Sequence, residues 1–423
     1  MKITFFFIVI LLSMNFAKAQ EIYIVNSNSE TLSHVQIYDF SVTNNFAQIG
    51  QYGNHITYHE ERLYIVNSGD NNIQVVDLEG VTRGFINLEN SSNPWHINIH
   101  NGFIYVTGLF TGKLYRIDLN APFNTHFDKA DGNFLYNELF IGTTPQGMLV
   151  HDNKMFVALA GVYFPDYGQG KVAIIDLETF SIVDTIDVAQ NPQELIVDSR
   201  GYIHVVCTGN YAELTSKIVI FDSQNFEIVH TLDFDWSFFT TIQKGPDGLI
   251  YVGNGFGLGF ATYDPITYEI INGFGNTLFT GGQYLIYDSQ FIYVLEPDWL
   301  FNSSLNIYTH DHDIVRQISL GIGSLAMVMH NRHSSIDDIV MPNSYEVFAY
   351  PNPFMSEIKF DIKGFVKEIT IDVFNIRGQK IATTSDRNWD GKNMFGIDVP
   401  AGMYFARISD GNEVIVKKIL RIK

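Results

Sequence analysis

His55 and His96 stand nine residues ahead of Tyr64 and Tyr105 in matching stretches of the chain. Glu194 takes the same position in a later stretch once a turn longer by one residue is allowed for, and Tyr284 takes it in the last. Two imidazoles and a carboxylate on one ring are a donor set for a divalent ion, which could polarise a substrate or activate water. A gap at Gly147 interrupts that ring, so a cation there is an option and no cofactor is predicted. The ring beside it reads Asn54, Trp95, Gln146, Gln193, Thr240 and Gln283. Polar and aromatic side chains at the mouth of a closed barrel can recognise a ligand by hydrogen bonding and stacking. Aromatic residues cluster at a second set of equivalent positions: Phe110, Tyr163, Phe164, Tyr167, Tyr211, Phe256, Trp299 and Phe301. Nothing in the chain spells a nucleophile elbow, HExxH, a phosphate loop or an EF-hand, so catalysis would have to come from convergence alone.

The elements that position these residues repeat. One strand recurs as Ile22-Tyr-Ile-Val, Leu63-Tyr-Ile-Val, Ile104-Tyr-Val-Thr, Met155-Phe-Val-Ala, Ile203-His-Val-Val, Ile250-Tyr-Val-Gly and Ile292-Tyr-Val-Leu. The steps between them are 41, 41, 51, 48, 47 and 42 residues. A second strand follows each one, and in six of seven units it ends on aspartate: Asp39, Asp77, Asp118, Asp176, Asp222 and Asp264. Aspartate suits the turn that follows, because its carboxylate can accept from backbone amides two residues on. A third strand follows, and another precedes each Tyr-Val stretch. Four strands per unit of about forty residues is the signature of a propeller blade.

The first unit lacks its innermost strand, and Ser324–His330 follows the seventh unit with no unit of its own. Pairing the two closes a ring of seven blades with strands from both chain ends and removes two open sheet edges. In this register the channel-mouth rings and the aromatic loops share one face. His59, His100, His151, His330, Asp198 and Asp288 fall at the opposite face, where turn capping is the expected role. Cys207 is the sole cysteine; its place in an apolar strand predicts a buried small side chain. The segment NPxxLxVDxxGxIHVV…IVIFDxxxFEIVHTL resembles the YVTN or YncE-like propeller repeat. The resemblance covers about three quarters of the chain and implies fold rather than function.

Charge and the two chain ends set the compartment. The net charge is −20; residues 346–423 carry 12 Lys and Arg against 10 Asp and Glu, and the first 19 hold only Lys2 and Lys18. The stretch from Gln20 to Tyr345 therefore carries −24, which repels phosphate backbones and argues against nucleic acid. Residues 1–19 combine Lys2, an apolar run from Ile3 to Leu12 and Ala17-Lys18-Ala19, the plan of a cleaved signal peptide too short to span a bilayer. Residues 20–333 form the propeller and 334–345 a polar linker. Residues 346–423 contain YPNPF at Tyr350–Phe354, Asn375-Ile-Arg-Gly-Gln, Gly402-Met-Tyr and a terminal strand with Lys417-Lys418. They resemble the type A sorting domain of type IX secretion substrates. That resemblance implies a small Ig-like β-sandwich, Sec export, passage across the outer membrane, and release or surface attachment.

The expectation is an all-β chain: a seven-bladed β-propeller followed by a small Ig-like β-sandwich. It is exported by Sec and the type IX machinery and is monomeric, with no transmembrane segment. The propeller captures a small-molecule, glycan or protein ligand at its channel mouth. The alternatives are a metal-dependent enzyme, by analogy with propeller lactonases and lyases that use channel-mouth residues, and an adhesion or scaffold protein that binds glycan or protein.

Overall fold

The computed structural model describes residues 20–120, 136–161, 168–210, 214–331 and 346–422, except 235, 238, 256, 274, 353, 364–368, 376–378 and 410–413. The expected signal peptide, the expected linker and Tyr167 lie outside the described residues. The described chain divides into two compact units, Met1–Ser334 and Ser335–Lys423.

In the first unit the strands pair into seven four-stranded antiparallel sheets. The innermost strands are Ser324–Asn331, Gly53–His59, Pro94–His100, Pro145–His151, Pro192–Val197, Phe239–Lys244 and Tyr284–Tyr287. Each packs against the next, and the seventh returns to the first, so the sheets form a closed ring. The closing strand pairs antiparallel with Gln20–Asn26, from Gln20 opposite Asn331 to Asn26 opposite Ser324. Ser324 Oγ donates to Asn26 Oδ1 at 2.7 Å, which locks the end of that pairing.

The core lies between sheets. Side chains alternate along each strand, so one strand serves two interfaces. In the closing strand, Met327 packs with Ile22, Ile24 and Tyr293 on one side. Its neighbour Ala326 packs with Tyr23, Ile56 and Leu63 on the other. The recurring tyrosines are buried, and several bind a carboxylate of their own blade: Tyr23 to Glu21 at 2.8 Å, Tyr251 to Asp247 at 2.9 Å and Tyr293 to Asp288 at 2.8 Å. Where the fifth unit has His204, its Nε2 lies 3.3 Å from Asp198 Oδ2, and its Nδ1 lies 2.7 Å from the Tyr263 hydroxyl. A buried phenol without a partner would cost desolvation energy, which explains the acid beside Tyr23, Tyr251 and Tyr293.

The turn aspartates accept from the backbone as their position suggests. Asp39 takes the Ser41 amide at 2.9 Å, Asp118 that of Asn120 at 2.8 Å, Asp222 that of Gln224 at 2.7 Å and Asp264 that of Ile266 at 2.7 Å. Asp198 and Asp288 cap the opposite-face turns, accepting from the Arg200 and Gln290 amides at 2.8 and 2.7 Å. Cys207 is fully buried, and burial pushes its thiol pKa far up.

The second unit has two sheets. Glu346–Tyr350, Ile358–Lys363 and Asn388–Trp389 form one; Lys380–Thr384, Thr370–Asn375, Gly402–Ser409 and Val414–Arg421 form the other. Phe354, Trp389, Tyr404 and Ile371 are among the residues of their shared core, so this small β-sandwich has an interior of its own. Among the described residues no helix is long and apolar enough to cross a membrane.

Candidate functional site

The inner strands are not regular where they reach the channel mouth. In the second blade the ladder pairs Gly53 and then His55, skipping Asn54. In the third it passes from Pro94 to Ile97, skipping Trp95 and His96, and in the fourth from Pro145 to Met148, skipping Gln146 and Gly147. Gln193 and Thr240 are skipped in the fifth and sixth, and Leu325 in the closing strand. A bulge leaves its extra residue unpaired and turns its side chain out of the pleat. Repeated round the ring, it delivers a set of side chains to the channel mouth.

Two cavities follow. The outer has a volume of about 620 Å³, the inner about 410 Å³. His55, His96, Gly147, Glu194 and Tyr284 line both, so they form the neck where the two meet. The outer wall adds Asn54, Trp95, Gln193 and Gln283, together with Trp299 from a loop of the last blade. Thr240 of the predicted ring lines it too, and Tyr52 and Asn28 are among the wall residues absent from the rings aligned on sequence. Asn28 sits in the turn after the first strand, the counterpart in the first unit of the aromatic loops; reading that loop position for polar as well as aromatic residues would have found it. Tyr52 lies two residues ahead of Asn54, outside any position the alignment tested.

Two residues of the expected site stand elsewhere. Gln146 is only 7% exposed and lines neither cavity; Gly147 takes the channel position in that blade. The reason is local crowding. A Cβ on Gly147 would sit 2.6 Å from the Gln193 carbonyl oxygen, so only glycine lets the fourth and fifth blades approach at the neck. Phe110 is exposed on its loop but is not part of the cavity wall.

The neck is electrostatically unusual. The His55 and His96 rings lie 3.9 Å apart, centroid to centroid, and tilted by 41°. The Nδ1 atoms of both are buried and accept or donate no hydrogen bond. Burial holds His55 at about 4. His96 is held well below its ordinary value, by burial first and by the adjacent imidazole second. Both rings are therefore neutral at physiological pH. Glu194 Oε2 accepts from the Ile242 amide at 3.2 Å and from Gln243 Nε2 at 3.5 Å. Burial outweighs the Ile242 bond and pushes Glu194 up to about 7. Among the described residues no group of three or more His, Cys, Asp or Glu is arranged to hold a metal ion. The imidazole pair meets at the neck, but the trio His55, His96 and Glu194 does not converge into a coordination site.

Glu194 makes a stability prediction with a definite sign. Its folded value, about 7, lies above its ordinary 4.5. Between those values the folded chain keeps a proton that the unfolded chain has released. Its contribution is therefore full below 4.5 and lost as pH rises through 7. The difference is worth at most about 3 kcal/mol, and water in the cavity reduces that. Glu194→Gln should melt a few degrees above the parent at pH 8 and level with it at pH 4.5, in paired thermal melts. His55 runs the other way, its contribution being lost as pH falls from 6.5 towards 4, so only the difference between variant and parent isolates Glu194. Equal melting temperatures at pH 8 would mean that the carboxylate is fully hydrated.

Comparison with known proteins separates the two units. Residues 348–423 match the family described as Secretion system C-terminal sorting domain. The protein is a type IX secretion substrate, delivered to the cell surface or the surrounding medium. No curated protein matches the chain significantly. The propeller finds its likeness in solved structures. A Bacteroides fragilis protein provisionally assigned as a 6-phosphogluconolactonase superposes with a TM-score of 0.56 at 10% identity, covering 75% of this chain and 99% of that one. Virginiamycin B lyase from Staphylococcus aureus gives a TM-score of 0.47 at 14% identity, covering 64% and 85%. At such identity the first likeness shows the propeller fold alone, and the second is too distant to add to it.

Proposed function

We propose that the protein is an extracellular binding propeller, exported through a cleaved signal peptide and its sorting domain, which captures a ligand in the outer cavity at the channel mouth. The observation that carries this reading is the makeup of that cavity. Its volume of about 620 Å³ lies within the range of small-molecule sites. Its wall sets the faces of Tyr52, Trp95 and Trp299, which are 65%, 36% and 49% exposed, beside polar groups displaced from the ladder by bulges. Large aromatic faces left in water at the rim of a cavity are costly unless something covers them. The YVTN or YncE-like character of the blades supports the same reading, since it supplies a rigid ring on which such a mouth can vary.

A thermal-shift screen of the purified full-length protein tests it, with glycans, peptides, corrinoids, organic cations and divalent metals as probes. A true mouth ligand should raise the melting temperature of the parent. Trp95→Ala should lose about two- to ten-fold in affinity for that ligand by titration calorimetry, because a stacking face of this kind is worth about 0.5–1.5 kcal/mol, while its unliganded melting temperature stays within a degree of the parent. A ligand that binds Trp95→Ala as well as the parent sits elsewhere and sinks the reading, as does a screen in which nothing binds.

A further inference from the structure

The amides of the mouth are not free to act in both senses. Asn28 donates its side-chain NH2 to the Trp299 carbonyl at 2.9 Å. Asn54 donates to Ser68 Oγ, and that hydroxyl has already spent its own proton on the Pro94 carbonyl at 2.5 Å. A carbonyl and a committed hydroxyl can only accept, so the orientation of both amides is fixed. Gln193 and Gln283 also place their NH2 groups on protein partners, Asn191 Oδ1 at 2.6 Å and Thr240 Oγ1 at 3.5 Å. Each amide thereby commits one of its two N–H groups to the protein, and its carbonyl oxygen can accept from a ligand. To these acceptors the neck adds the Glu194 carboxyl, and the rim adds three aromatic faces, whose quadrupoles are negative.

The complementary charge is missing. The described residues lining the outer cavity include no Lys and no Arg. A phosphorylated or carboxylated ligand would meet no cationic side chain in the outer cavity, since Lys244 lines the inner one, and would enter a propeller segment of net charge −24.

We infer that the channel mouth selects an organic cation, a protonated amine or guanidinium that donates to the amide carbonyls and lies against Trp299, Trp95 and Tyr52. The inference rests on the binding reading above and narrows it to a ligand class.

The test is calorimetry on the full-length protein with spermidine, a neutral oligoether of matching length, maltotriose and glucuronate, each at 0.15 M and 0.5 M salt. Spermidine should bind with one-to-one stoichiometry at both salt concentrations, and the other three should bind at least ten-fold more weakly. Trp299→Ala and Glu194→Gln should each weaken spermidine five-fold or more with unchanged circular dichroism. Spermidine binding that vanishes at 0.5 M salt, or that persists in Trp299→Ala, would mark diffuse attraction to an acidic surface and overturn the inference. Tighter binding of maltotriose or glucuronate would overturn the cation class while leaving a functional mouth in place. Failure of all four probes at the mouth would also overturn it, and the wider screen would then decide whether the mouth binds anything.

Discussion

A chain ending at Tyr345 should fold its propeller and never reach the cell exterior. The physical case is the independence of the two units. The segment 346–423 buries Phe354, Trp389, Tyr404 and a set of branched aliphatic side chains in an interior built from its own strands. The propeller closes its ring before that segment begins, with Ser324–Asn331 as its last strand. Losing the tail therefore removes the address and leaves the ring intact. Immunoblots of medium, surface and periplasmic fractions should show the truncated chain confined to the periplasm, with the exported fraction falling to background. Its melting transition, measured after purification, should match that of the propeller in the parent. The reverse experiment should work as well: 346–423 fused behind a Sec-exported reporter should carry it out of the cell. Equal export with and without the tail would mean that the propeller holds its own signal, and the role assigned to the sorting domain would fail.

Met327→Asp should be close to lethal for the fold. Met327 is 4% exposed and sits where the closing strand meets both the first and the last sheet. A carboxylate there has no cation to pair with among the residues of its core cluster, and burying it unpaired costs several kcal/mol. A domain has only about 5–15 kcal/mol of net stability. The cost also falls on the pairing that joins the chain ends, so the ring would open and expose the edges of two sheets. We expect the variant to be cleaved by protease many-fold faster than the parent, to elute as aggregate and to show no cooperative melt. Met327→Leu keeps volume and apolarity and should lose less than about 1.5 kcal/mol. A Met327→Asp protein that melts within a few degrees of the parent would show that the closing strand contributes little to holding the ring.

Much of this architecture was legible before any coordinates. The blade period is carried by local rules: alternation along short strands, aspartate where a turn needs an acceptor, and a tyrosine that recurs in five of seven units. Closure could be inferred from arithmetic, because the first unit was one strand short and Ser324–His330 was one strand too many. The sorting tail carried its own motifs from Tyr350 to Lys418. Each of these depends on residues close in sequence, or on a count, and so survives without knowledge of the third dimension.

The site was legible only as two rings of positions. Which members face the cavity was decided by the packing of neighbouring blades. Gln146 and Gly147 occupy one bulge, and the approach of Gln193 gives the channel position to the glycine. His55 and His96 are 41 residues apart in sequence but stack ring to ring, and the desolvation that keeps them neutral comes from the surrounding blades. Asn28 entered the wall because ring closure brings the first blade beside the last, where its side chain reaches the Trp299 carbonyl. The orientation of the mouth amides was the least visible of all, since Ser68 gives its proton to Pro94 and so can only accept from Asn54. A sequence states which groups an amide has; only its neighbours in the folded ring decide which of them is left for a ligand.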